Sequence, residues 1–178
     1  MKTKMLLGLL VVMIPLMGFD CVNDPIIVAL NLKPFNATYV INPGSNNSPY
    51  SGTTTIDPTS LYDNSYTLTG VSVYNLTVQT AGPQDLGTCS GTVTITSSGT
   101  THTLFTYSGP WTAFNTPQSL LTSSYITRDA AGVSQLIQAV QNKDQITFGG
   151  TASITFSGQI NSGNSVIASA YVQAYGHL

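Results

Sequence analysis

The chain has 178 residues, of which only 7% are charged; five Lys and Arg stand against seven Asp, there is no Glu, and the formal net charge is −2. Such a shortage of cations argues against a nucleic-acid partner, because displacing counterions from phosphates needs clustered Lys and Arg, and an anionic membrane surface asks for the same. Disorder is also argued against, since disordered chains lack the β-branched and aromatic residues that abound here.

Lys2 and Lys4 lead into an apolar run from Met5 to Phe19, the layout of a secretory signal peptide. The run falls short of the roughly 20 residues a membrane span needs, and Pro15 interrupts it. Residues 1–20 are therefore expected to be a signal peptide and residues 21–178 a single exported domain. The expected destination is the bacterial cell envelope (outer membrane, periplasm or cell surface) or the extracellular space. Cys21 has two readings. It is either the lipid-carrying N-terminus of a lipoprotein, so that the membrane is touched only through the anchor, or it pairs with Cys89, the only other cysteine, as an oxidising compartment permits. Gly18, Phe19 and Asp20 depart from the residues that usually precede a lipidated cysteine, so the anchor rests on the position of Cys21 alone.

Downstream, candidate strands are Ile26–Leu32, Thr38–Ile41, Thr53–Ile56, Val71–Thr80, Thr88–Thr96, Thr101–Tyr107, Gln145–Phe148, Thr151–Ser157 and Ser165–Tyr175. Val71–Thr80 alternates, with Ser72, Tyr74, Leu76 and Val78 on one side and Val71, Val73, Asn75 and Thr77 on the other. Thr88–Thr96 sets Cys89, Val93 and Ile95 against Ser90, Thr92 and Thr94, which predicts one buried and one hydroxyl-covered face. Turn clusters at Asn42–Asn47, Ala81–Gly87, Ser97–Gly99 and Gly158–Asn164 separate the strands. Between Asp129 and Asn142 the period changes: Val133, Leu136, Ile137 and Val140 form one helical stripe, Asp129 is placed to cap it, and Gly132 weakens it. The expected fold is an antiparallel β-sandwich, Ig-like or jelly-roll-like, with one short α-helix near residues 129–142 sealing an open end.

Candidate chemistry is sparse. Gly87-Thr88-Cys89-Ser90-Gly91 has nucleophile-elbow spacing, but that motif needs a helix after the nucleophile and a strand follows here. His102 and His177 have no neighbours at metal-ligand spacing, so no metal or cofactor is expected. Asp57 and Asp63 bracket a loop able to offer oxygens to calcium, yet Asp-Pro and Asp-Asn turn pairs explain the same residues. Asn36-Ala37-Thr38 and Asn75-Leu76-Thr77 match the N-glycosylation pattern, as chance allows in a chain rich in Asn and Thr. Trp111, the only Trp, follows Pro110 in a turn near Tyr107 and Phe114; these rings are the candidate ligand-binding residues, for stacking on a glycan, or else a plug over the sandwich end. No catalytic set emerges. The leading expectation is a non-enzymatic protein acting by binding or self-assembly with a protein partner. Ser165–Tyr175, read as an edge strand with no charged residue, must have its edge covered by a loop or by a partner strand, which points the same way. A carbohydrate-binding module centred on Trp111 is the alternative, and a hydrolase using Cys89 or paired aspartates comes after it.

Overall fold

Alternating apolar and polar residues give each strand one face to bury, and two sheets can bury those faces only against each other. The computed structural model describes residues 27–61 and 66–177; the expected signal peptide, Cys21 and Asp63 lie outside the described residues. In chain order the elements are β1 (Val28–Asn31), β2 (Phe35–Ile41), β3 (Tyr50–Ile56), β4 (Thr67–Ala81), β5 (Thr88–Ser97), β6 (Thr100–Pro110), β7 (Gln118–Ser119), β8 (Ile126–Arg128), α1 (Ala130–Gln141), β9 (Ile146–Ile154) and β10 (Asn164–His177).

One sheet runs β1-β10-β4-β7, with β2 continuing β1's side of β10, and the other runs β3-β9-β5-β6-β8. Every ladder is antiparallel. This is the expected sandwich with one short helix, and its connectivity is that of a jelly roll. The chain changes sheet between β2 and β3, β3 and β4, β4 and β5, β6 and β7, β7 and β8, and β9 and β10. The inner rows meet in one core that includes Phe35, Ala37, Tyr39 and Ile41 of β2, Val166 to Ala174 at alternate positions of β10, Val93 and Ile95 of β5, and Phe148 of β9.

Three departures from the sequence reading have local causes. First, Val71–Thr80 does not keep strict alternation, because the β4–β10 register shifts between Tyr171 and Val172, whose partners are Asn75 and Val73. Tyr74 is the surplus residue of this bulge and is exposed, so Leu76 and Val78 face inward while Val71 and Val73, two further along the other parity, also pack on the core. Second, Gln145–Phe148 and Thr151–Ser157 are one strand, β9, which passes straight through its glycines. Gly150 has φ +143°, and a Cβ there would sit 1.9 Å from the Thr92 carbonyl oxygen, so glycine marks close approach to β5 and not a turn. Third, Ser165–Tyr175 lies inside its sheet, with β1 and β2 on one side and β4 on the other. Its lack of charge is accounted for by that position.

Asp129 Oδ1 accepts a hydrogen bond from the Gly132 amide at 3.0 Å, capping α1 as expected. The helix packs against β5 and β6 of one sheet and β4 of the other, burying Val133, Leu136, Ala139 and Val140. Gly132, which costs the helix intrinsic stability, is what lets it come so close: a Cβ there would meet the Thr103 carbonyl oxygen at 1.8 Å. Helix propensity alone would make Gly132→Ala stabilising by about 1 kcal/mol. The expected outcome is the reverse, a loss of about 1–3 kcal/mol from forced backbone displacement, read as a lower urea midpoint.

Candidate functional site

The broadest chemical feature is the outer face of the β3-β9-β5-β6-β8 sheet. Since the inward residues of these strands are apolar, the pleat turns the intervening Thr and Ser outward, and antiparallel register lines them up across strands. One row reads Ser51, Thr151, Thr92, Thr106 and Thr127 across all the strands of the sheet. A second reads Thr55, Thr147, Thr96 and Thr101, with the Thr96 and Thr101 hydroxyls 2.7 Å apart. Thr53, Thr94 and Thr103 form a third, interrupted by Gly149, and Ser153, Ser90 and Ser108 a fourth. Strands lie about 4.8 Å apart and same-face residues about 7 Å apart along each strand, so the result is a repeating array of hydroxyls and methyls.

Charge is kept off both sheet faces. Among the described residues, Lys33, Asp57, Asp85, Asp129, Lys143 and Asp144 lie between strands, and Arg128 is the last residue of β8. The other sheet exposes Val40 and Tyr74. Tyr74 packs at 5.9 Å between ring centroids on Tyr171 and sits with Leu121, 74% exposed, around a small cleft that Arg128 borders.

The aromatic cluster from the sequence is brought together, but inside the protein. Pro110 ends β6, and a 3-10 turn at Trp111–Phe114 folds back under it. Trp111 is 2% exposed, Tyr107 2% and Phe114 0%, so none offers a ring face to solvent. The Trp111 amide donates to the Gly87 carbonyl at 2.7 Å, and the Thr80 hydroxyl lies 3.1 Å from the Trp111 carbonyl oxygen. Phe114 packs edge-on to Tyr107 at 6.0 Å and against Tyr125 at 5.7 Å. These contacts describe a plug fastened to both sheets.

Cys89 is a free, fully buried thiol on β5, hydrogen-bonded to the Tyr107 hydroxyl. Burial pushes it up to about 12, with the Tyr107 hydrogen bond pulling the other way. Tyr107 also reaches the Thr151 carbonyl at 3.3 Å. The nearby Tyr39 hydroxyl is buried without a hydrogen-bond partner, and burial raises both phenols. A protonated thiol in a dry core is a poor nucleophile.

Remaining candidates stand apart. Asp57 Oδ1 accepts from the Thr59 amide at 2.9 Å and the Thr59 hydroxyl at 2.7 Å, capping a turn at Pro58–Ser60. Those bonds hold its carboxyl below the ordinary carboxylate value. His102 lies half-buried on β6 and His177 at the end of β10. Asn75 accepts from the Ser119 hydroxyl at 2.6 Å and Asn36 is exposed on β2. Among the described residues no three His, Cys, Asp or Glu come together, and no helix is long and apolar enough to cross a membrane. A cleft of about 340 Å³ at the β5–β6 turn, lined by Thr96, Ser97, Ser98, Gly99, Asp144, Gln145 and Thr147, holds a single carboxylate.

The role of these groups can be measured. Trp111→Ala is expected to cost about 3–5 kcal/mol of stability, as removal of a buried ring does, seen in urea unfolding. Cys89 gives a pH signature: unfolded it ionises near pH 8.5, whereas in the fold it keeps its proton to about 12. Between those values the unfolded chain binds fewer protons than the native one, so stability falls as pH rises. The urea midpoint should drop on going from about pH 7 to about pH 9, where unfolded phenols with an ordinary value of about 10 are still mostly protonated, and drop less in Cys89→Ala.

No protein-family model matches the sequence, and comparison with curated proteins gave no match. Among solved structures the chain is similar to a chain of Desmodium yellow mottle tymovirus, with 10% identity over 88% of this chain and 90% of that one and a TM-score of 0.35. A likeness of that size carries no argument about function.

Proposed function

We propose that this is an exported, non-enzymatic protein of the cell envelope or exterior that works by assembling with further copies of itself, using the hydroxyl-covered sheet as a contact surface. The observation that carries the reading is the uncharged array running through Ser51, Thr151, Thr92, Thr106 and Thr127. Centres of protein interfaces are depleted of charge, and this row carries only Ser and Thr. A hydroxyl both donates and accepts, so one such face can satisfy another without a charge pattern. The threonine methyls supply apolar area between them. Two flat sheets can stack about 10 Å apart in this way.

Edge pairing of the long strands is not required. On one side of each sheet the edge is short, β7 having two residues and β8 three, and short edges resist strand addition; on the other side the edges include β2 and β3, seven residues each. A glycan reading based on Trp111 would need the plug to open first, since the indole is 2% exposed; the hydroxyl array suits a flat uncharged glycan better.

Sedimentation velocity over a concentration series tests the proposal. The protein is expected to self-associate, and Thr92→Lys or Thr151→Lys, which place a cation at the centre of the array, should weaken association at least tenfold, about 1.4 kcal/mol. Circular dichroism checks that the fold survives. A monomer at every concentration rejects assembly, and retention of the same protein on an insoluble neutral polysaccharide, lost in Thr92→Lys, would replace it with glycan binding.

A further inference from the structure

Strand β1 makes a regular ladder with β10, from Val28 opposite Gly176 to Asn31 opposite Gln173, yet it buries almost nothing. Ile27 is 61% exposed and Val28 44%, and only Leu30 of the strand is half-buried. Its attachment is therefore mainly main-chain hydrogen bonding, each bond worth about 1 kcal/mol net, with the Tyr66 hydroxyl donating to the Val28 carbonyl at 3.1 Å. The residues that follow are held far more firmly. Leu32 is 5% exposed and donates its amide to the Val172 carbonyl at 3.0 Å, and Phe35 is 1% exposed. Between these two anchors lie Lys33 and Pro34, both exposed. Pro34 keeps Lys33 in the extended region, so β1 and β2 follow each other along one edge of β10, with β1 as the weakly buried N-terminal part.

A segment with few buried contacts opens at low free energy. When β1 lifts, it uncovers the main-chain groups of Gln173–Gly176 on one side of β10, an edge with no charged side chain and no proline to refuse a new strand. We infer that β1 is an exchangeable strand, which leaves its own β10 and pairs with the β10 edge of a second copy. The acceptor selects this occupant. The Gln173 amide donates to Asn31 Oδ1 at 2.9 Å and the Tyr66 hydroxyl to Val28, and both bonds are available to the same four residues whichever copy supplies them. Swinging about Lys33–Pro34 also withdraws Leu32 and its bond to Val172, and these contacts, like those of β1, are given up in one chain and regained in the other, so concentration decides the balance. The inference rests on the self-association proposed above and adds a second contact between the copies, on the other sheet.

The test uses the full chain carrying Cys21→Ser, with Cys89 left buried. Asn31→Cys and Gln173→Cys, which replace facing residues, are placed on separate copies and co-expressed. Exchange predicts a disulfide-linked pair containing one of each variant, several-fold more abundant than the like pairs given by either variant alone. Both substitutions in one chain give the counter-test: bonding only within that chain, with no mixed pair in the co-expression, overturns exchange. Light scattering on the same samples separates the two levels. Association with only internal bonding keeps assembly and removes strand exchange, whereas monomers with only internal bonding remove both.

Discussion

Strand β10 has to be satisfied on both edges and one face at once, and most of the architecture follows from that demand. It is the last of the described strands, yet it takes β1 and β2 along one edge and β4 along the other. Its inner row, Val166, Ala168, Ala170, Val172 and Ala174, is fully buried and made of small or β-branched residues. Small side chains here leave room for the large ones of the same core, among them Phe35, Tyr39, Phe105 and Phe148. Until β10 arrives, β2 and β4 have no common neighbour, so the sheet is completed by contacts of high sequence separation. Such closures are slow because loop entropy must be overcome before pairing is rewarded.

Alternation made the strands legible, and the change of period made α1 legible, down to Asp129 as its cap. Both are local signals that the side chains themselves carry. Pairing order is not local, which is why the sequence left Ig-like and jelly-roll arrangements open and gave no sign that Ser165–Tyr175 is an interior strand. Glycine was ambiguous for a similar reason: at Gly150 and Gly132 it answers to a backbone that arrives from a distant segment, Thr92 in one case and Thr103 in the other. The bulge at Tyr74 hid behind a pattern that reads well in either parity, since Val71 and Val73 are as apolar as Leu76 and Val78. Two-residue β7 and three-residue β8 are too short to show a period at all.

The candidate surface was half visible in the same way. Ser90, Thr92 and Thr94 announce a hydroxyl row along one strand, but the array exists only because ladder register sets Thr151 and Thr106 on either side of Thr92. The aromatic residues show the opposite case. Trp111, Tyr107 and Phe114 are as close in space as in sequence, and what the sequence could not settle is which way they face. Their burial depends on Gly87 and Thr80, which supply hydrogen-bond partners from other parts of the chain.

Confining the charged Asp, Lys and Arg side chains to loops and strand ends has an effect on how the protein responds to its surroundings. Contact between two such faces contains almost no Coulombic term, so ionic strength, which screens exposed charges within about 10 Å at 0.1 M, has little to act on. Acidity has equally little hold, because the carboxylates sit at the loops and the hydroxyls do not titrate. The proposed joint would keep its strength in fresh water, brine or acid alike, which suits the proposed delivery to a compartment whose composition the cell does not regulate.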